Sequence, residues 1–232
     1  MTTAPDLQTP ASAVSTGDPF TLWAVFARTA SPSPAAPVGE LGALTGTLAE
    51  QGVTVRGFYD VSGMRADADV MVWMHAQQPD ALQEALRTLR RTETLAATRL
   101  VFSSMGVHRE AEFAKEHSPS YFRGVPAEDW MCVYPFVRSY DWYLLDPADR
   151  GRMLRDHGLA GRDYPQVIAN TVQCFALNDW EWLLGLEAPQ LTDLVDLMRH
   201  LRSADARLHV REEVPFYTGR RIDPADVAGV LR

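Results

Sequence analysis

Hydrophobic residues recur at two different spacings along the chain, and the two spacings alternate in a regular order. Apolar side chains at every second position predict β-strands, and apolar side chains three or four residues apart predict helices. Between residues 20 and 107 the order is strand, helix, strand, strand, helix, strand. The predicted strands are Phe20–Ala27, Val53–Tyr59, Ala68–Met74 and Thr98–Val107, and the predicted helices are Val38–Gln51 and 79–91.

The same order returns in the second half of the chain. One of its helices begins at Asp146, a good N-cap residue, with Pro147 at the first helical position, and is expected to end at His157 because Gly158 is typical of a helix C-terminus. The predicted strands are Met131–Arg138, Val167–Ala176, Trp180–Leu186 and Val214–Thr218, and the predicted helices are Asp146–His157 and Pro189–Arg202.

This repeat predicts an α+β fold made of two similar halves. Each half has the βαββαβ order of a ferredoxin-like unit, which leaves one sheet face bare, so we expect the two halves to pack as a dimeric α+β barrel within one chain. The predicted division is a disordered tail at 1–17, an N-terminal half at 18–115, a linker at 116–130 and a C-terminal half at 131–232.

Composition excludes several classes of protein. The 232 residues carry 22 Lys and Arg against 30 Asp and Glu, a net charge of −8, and nucleic-acid affinity depends largely on basic side chains. No apolar run approaches the roughly 18 residues of a membrane-spanning helix, and the N-terminus lacks the pattern of a signal peptide. Cys132 and Cys174 fit the reduced thiols of a cytoplasmic protein.

Candidate chemistry rests on scattered histidines and aromatic residues, since the chain has no nucleotide-binding loop, nucleophile elbow or zinc motif. His157 shares a helix face with Met153 and Leu154, so its ring is expected to point inward. A neutral imidazole there can be the single axial ligand of a haem iron, or it can simply interact with the dipole at a helix end.

Tyr134 and Arg138 lie four residues apart on one predicted strand and should share a face. Together they could present a hydroxyl and a guanidinium to a carboxylate, although a tyrosine facing a barrel interior is often only packed there. His117 lies in a polar linker that is typical of a solvated histidine, and the Trp180 and Trp182 pair favours core packing.

Four segments together resemble one known family. These are GFYDVSGMRADADVMVW, MCVYPFVRSYDWYLL, RDHGLAGRDYP and NDWEWLLGLE, which occur in this order over about residues 20–220. The sequence resembles the chlorite dismutase superfamily, and within it the coproheme decarboxylase branch. The resemblance implies a dimeric α+β barrel, usually assembled as a homopentamer, which agrees with the fold predicted from the repeat.

The resemblance also implies an activity. The substrate would be coproheme, iron coproporphyrin III, which is both substrate and redox centre. Hydrogen peroxide would drive the conversion of propionates 2 and 4 to vinyl groups, giving haem b. A ferrochelatase would supply the coproheme.

Site roles follow from the resemblance residue by residue. His157 matches the proximal iron ligand, Tyr134 the tyrosine whose radical abstracts hydrogen from a propionate, and His117 a distal histidine that acts as base for peroxide. Other matching or candidate positions in the pocket and near the propionates are Arg138, Arg162, Arg207, Trp142 and Trp182.

One departure from the superfamily favours the decarboxylase. Chlorite dismutases carry a distal arginine, and the matching position here is Ala169, with no arginine between Val167 and Glu181. A chlorite dismutase or peroxidase-like enzyme and a non-catalytic haem carrier stay as alternatives, because one fold hosts many functions. An oxidisable Tyr134 beside the porphyrin would separate an enzyme from a carrier.

Overall fold

Eight antiparallel strands close into a barrel in the computed structural model, which describes residues 19–29, 39–109 and 119–232. His117 and the predicted tail lie outside these residues. The strands are β1 (Phe20–Arg28), β2 (Val53–Asp60), β3 (Val70–Ala76), β4 (Thr98–Val107), β5 (Trp130–Arg138), β6 (Ile168–Gln173), β7 (Trp182–Ala188), β8 (Val210–Glu212) and β9 (Tyr217–Ile222). The helices are α1 (Glu40–Glu50), α2 (Pro79–Arg91), α3 (Glu93–Ala96), α4 (Pro147–Gly161), α5 (Leu191–Leu201) and α6 (Val227–Val230).

The strand order confirms the α+β fold of two ferredoxin-like halves. The first half is ordered β4-β1-β3-β2 and the second β9-β5-β7-β6, which is the same arrangement of first, second, third and fourth strands. One seam joins β2 to β9 over three residue pairs, and the other joins β4 to β6 at Val107 and Gln173. The short strand β8 lies outside the ring and pairs with β5.

Alternation along the strands separates an interior from an outer face. Large side chains fill the barrel, among them Trp23 and Trp73, whose stacked rings are 5.0 Å apart. On the outer face of the N-terminal half, α1 and α2 cover a cluster of 18 buried apolar residues. The corresponding cluster under α5 has only 6, so part of the outer face of the C-terminal half stays open.

A buried ion pair ties the connection between the halves to the barrel. The Arg56 guanidinium on β2 lies 2.8 Å from the Glu187 carboxylate on β7, and it donates hydrogen bonds to the carbonyls of Val125 and Pro126. Ser120 donates both its N–H and its hydroxyl to Asn170 on β6. These contacts satisfy charges that would otherwise be costly to bury.

Two sequence expectations are corrected by the structure. The N-cap of α4 is confirmed, since Asp146 accepts a hydrogen bond from the Ala148 N–H at 2.8 Å, but the helix runs on to Gly161 and does not end at His157. The last strand begins at Tyr217, because Pro215 has no N–H to donate to a strand ladder.

We expect Gly185→Ala to lower the free energy of unfolding by about 1–3 kcal/mol. A Cβ at this position would lie 2.7 Å from the Met131 and Trp23 side chains inside the barrel. Gly158→Ala is the matched control, because nothing lies within 4 Å of its added Cβ, and it should raise stability by about 0.5–1 kcal/mol in a helix interior. Urea unfolding measures both, and a less stable Gly158→Ala protein would contradict the extension of α4.

Candidate functional site

The open part of the outer face is built from three rows of side chains on the C-terminal half. Strand register places Thr171, Leu184 and Tyr134 in one row, and the Phe216 ring extends this row by stacking on Tyr134. Ala169, Leu186 and Cys132 lie on one side of the row, and Gln173, Trp182 and Phe136 lie on the other. Ala169 and Thr171 are exposed, so the face is bare along β6, whereas α5 packs on buried residues of β5 and β7. The face is therefore largely apolar and edged by aromatic rings.

Tyr134 lies at the covered end of this face and points away from the barrel interior, which corrects the expectation that it faces inward. Its ring stacks on Phe216 with centroids 4.5 Å apart, and its hydroxyl donates to the Met198 sulfur at 3.5 Å. Burial raises the pKa of the phenol well above its ordinary value. The hydroxyl therefore stays protonated at any physiological pH.

His157 projects from α4 and is partly buried. Burial lowers the pKa of the imidazole, the Arg138 cation lowers it further, and Glu213 opposes them. The ring is thus neutral near pH 7 and keeps a lone pair for a metal. Because α4 continues for another turn, His157 does not sit in the last turn, where a dipole interaction is strongest.

Arg138 connects the histidine to the aromatic edge. Its guanidinium lies 4.2 Å from the Trp142 ring centroid and 4.9 Å from that of Phe136. Burial lowers the pKa of this guanidinium, which nonetheless remains charged. The structure thus brings Arg138 and Trp142 together near His157. The charge of Glu213 acts on both His157 and Tyr134, and those of Arg202 and Arg207 act on Tyr134.

The two tryptophans expected in the pocket have different surroundings. Trp142 is buried against Met153 of α4. Trp182 is partly exposed, stacks on Phe136 and donates its indole N–H to the Tyr143 hydroxyl at 3.0 Å, which in turn donates to Glu181 at 2.9 Å. Trp182 therefore lines the outer face. The expectation that both Trp180 and Trp182 pack in the core is confirmed for Trp180, which packs against the barrel interior, and is wrong for Trp182.

The remaining arginine candidates lie at the end of α4 and in the 3-10 helix Asp205–His209 that follows α5. Arg162 caps α4 and is exposed, and Arg207 forms a 2.7 Å ion pair with Glu213. Ala169 is on the outer face of β6, whereas the side chain of its neighbour Asn170 points inward to Glu187. The outward side chains of β6 are Ala169, Thr171 and Gln173, so this strand presents no cation to the face.

Sequence reasoning missed Met198, which accepts the hydrogen bond of the Tyr134 hydroxyl, and Arg202 and Glu213, whose charges act on this phenol. Met198 and Arg202 are one helical turn apart, a spacing visible in the sequence, but only the packing of α5 on β5 shows that this helix face meets Tyr134. Among the described residues no cluster of three or more His, Cys, Asp or Glu side chains could hold a metal ion. A single histidine suits a metal whose other ligands come from a porphyrin.

Comparison with known proteins identifies the family. The chlorite dismutase family model matches residues 35–222, which is most of the chain. The chain belongs to the chlorite dismutase family. In the region that the structure describes, no helix is long and apolar enough to cross a membrane.

The relatives of this chlorite dismutase family member carry names that refer to different activities. A protein of Mycolicibacterium smegmatis named coproheme decarboxylase is 52% identical over 183 residues, covering 78% of this chain and 79% of that protein. A Haloarcula marismortui protein named for heme binding is 29% identical over 79% of this chain but only 30% of its own length. The structure of chlorite dismutase from Candidatus Nitrospira defluvii with imidazole has a TM-score of 0.80 at 18% identity, covering 94% of this chain and 96% of that one.

We expect Arg138→Gln to raise the pKa of His157 towards the ordinary histidine value near 6.5. The substitution removes the cation that disfavours imidazole protonation, so His157 would become charged at a higher pH than in the unaltered protein. A pH titration of the histidine ring protons by NMR measures the change. The control is Arg155→Gln, an exposed position on α4, the helix that carries His157. An unchanged pKa of His157 in Arg138→Gln would show that Arg138 does not influence the protonation of His157.

Proposed function

We propose that this protein is a coproheme decarboxylase, which converts two propionates of iron coproporphyrin III to vinyl groups and so forms haem b. The observation that carries the proposal is the open outer face of the C-terminal half. Tyr134 stacks on Phe216 at its covered end, the Arg138 guanidinium lies over Phe136 at its edge, and the partly buried His157 is close enough to Arg138 to be influenced by its charge. The 52% identity to the Mycolicibacterium smegmatis coproheme decarboxylase, over most of both chains, supports the same substrate.

The open face suits a porphyrin in its chemistry. A porphyrin is an apolar ring with anionic edges, and this face is largely apolar with arginines near its ends. His157 would supply the axial ligand to the iron. Arg138, Arg162 and Arg207 are the candidate partners of propionates, while Trp142 and Trp182 would pack near the ring.

Hydrogen peroxide is the proposed oxidant, and the reaction balances for each of propionates 2 and 4. One propionate, one peroxide and one proton give a vinyl group, carbon dioxide and two water molecules. The bound iron porphyrin supplies the oxidising power, and the protein supplies position and charge. His117, which lies outside the described residues, would accept the peroxide proton, a task that suits the ordinary pKa of histidine.

Tyr134 is the proposed hydrogen-abstracting residue. Its hydroxyl is protonated and has the weakly accepting Met198 thioether as its hydrogen-bond partner. Oxidation would remove an electron and the phenolic proton, and the resulting tyrosyl radical would take a β-hydrogen from the propionate and regenerate the phenol. Loss of carbon dioxide and a second electron then leaves the vinyl group.

Two alternative functions are less well supported. Chlorite dismutase activity needs a distal cation, and the outward side chains of β6 are Ala169, Thr171 and Gln173. A non-catalytic haem carrier is supported by the names of several relatives, the Haloarcula marismortui protein among them, which mention heme binding and no reaction. A carrier has no use for an oxidisable phenol beside the porphyrin edge, so Tyr134 discriminates between the two.

The setting of the reaction is also a proposal. A homopentamer in the cytoplasm that receives coproheme from a ferrochelatase fits the family resemblance. The two free, buried cysteines support a reducing compartment, and burial raises the pKa of Cys132 to about 11, which keeps that thiol unreactive.

Tyr134→Phe should keep porphyrin binding but abolish decarboxylation, because only the hydroxyl is removed and the ring still stacks on Phe216. The porphyrin is followed by mass after peroxide addition, and its affinity by absorbance titration. Tyr140→Phe, at an exposed position, serves as the control and should leave the rate unchanged. Full activity of Tyr134→Phe would refute the hydrogen-abstracting role.

His157→Ala should change the iron coordination of bound coproheme, because it removes the proposed axial ligand. We expect an altered absorption spectrum and recovery of the original spectrum when imidazole is added. His200→Ala, near the end of α5, is the control. A spectrum identical to that of the unaltered protein would remove His157 from the iron.

A further inference from the structure

Two arginines and one carboxylate form a cluster beside the Tyr134 hydroxyl. Arg202 follows Met198 by one helical turn, and Met198 is the residue that contacts this hydroxyl. Glu213 follows β8, which pairs with the end of β5, and precedes by three residues the Phe216 ring that stacks on Tyr134. The cluster therefore lies close to Tyr134, near the position that a propionate reacting with this residue would occupy.

Glu213 holds both arginines at once. Its carboxylate lies 2.8 Å from Arg202 and 2.7 Å from Arg207, and only 14% of its side chain is exposed against 40% for each arginine. The carboxylate balances one of the two positive charges, so the cluster keeps a net charge of +1. Planar guanidinium groups bind any carboxylate in the same geometry, and a propionate is chemically equivalent to the end of a glutamate side chain.

We propose that Arg202 is a further substrate-binding residue, and that Glu213 is an internal carboxylate which a propionate of the substrate displaces from Arg202 and Arg207. This inference rests on the proposed function and adds a determinant of specificity to it. A porphyrin with a carboxylate at this position recovers the ion pairs that Glu213 gives up. A porphyrin with a vinyl group there does not.

Displacement of Glu213 by a propionate also explains how the protein discriminates between substrate and product. Coproheme has four propionates and haem b has two, and decarboxylation removes a carboxylate that the cluster holds. Glu213 can then return to the arginines, which restores the ion pairs present without substrate. The cluster thus favours binding of the four-propionate porphyrin and departure of the two-propionate product.

The test compares two iron-free porphyrins, coproporphyrin III with four propionates and protoporphyrin IX with two. Without iron, ligation by His157 does not contribute, and dissociation constants follow from fluorescence titration of the full chain. Glu213→Gln should tighten coproporphyrin binding roughly tenfold, because the arginines lose their internal partner. Arg202→Gln should weaken coproporphyrin binding roughly tenfold. This effect is at the low end for the loss of a hydrogen bond to a charged group, because Arg202 is partly exposed to solvent. Protoporphyrin binding should change less than about twofold in both variants.

Matched controls separate the cluster from general charge effects. Glu212→Gln removes the same charge from the adjacent position, and Arg199→Gln removes an exposed arginine from α5. Both should leave the preference for coproporphyrin unchanged. An unchanged preference in Glu213→Gln and Arg202→Gln, or weaker coproporphyrin binding in Glu213→Gln, would overturn the inference alone. Failure of the unaltered protein to bind either porphyrin would overturn the proposed function with it.

Discussion

Closure of the barrel is the constraint on which the rest of the structure depends. Once eight strands form a ring, alternate side chains must point either into a filled interior or outward to the helices. The interior is occupied by large rings such as Trp23 and Trp73, which leaves no room for a substrate. A site for a large flat molecule is therefore expected on the outside, and among the described residues it is the C-terminal half whose outer face is partly uncovered.

The charge distribution shows how an acidic chain can hold an anionic porphyrin. The arginines near the face are not all available, because Arg150 is buried and donates to the carbonyls of Tyr143 and Leu145. Arg152 pairs with Asp156 and Asp205. Arg138 and the Arg202–Arg207 pair lie against the face itself, so the local field is set by a few placed cations and not by the net charge of −8.

Much of the fold could be predicted from the sequence, because its periods of two and of three to four residues repeat in the same order in both halves. Helix 79–91 has the predicted bounds, and the N-cap at Asp146 is present. The face to which Tyr134 points could not be derived, since alternation separates two sets of residues without saying which set is inside. The prediction that α4 ends at His157 was wrong. A glycine terminates a helix when its backbone adopts the left-handed conformation, and Gly158 instead continues the helix.

The site was predictable only in part, because the packing of distant segments decides which residues become neighbours. Tyr134, Arg138 and His157 stood out through residue type and family resemblance, but Arg202 and Glu213 become neighbours of Tyr134 only when α5 and the segment after β8 pack on β5. The most direct test of the account is to load the apoprotein with iron coproporphyrin III, add hydrogen peroxide stepwise and follow the porphyrin by mass. We predict loss of two carboxyl groups through a three-propionate intermediate. Tight binding with no change in porphyrin mass would contradict the account.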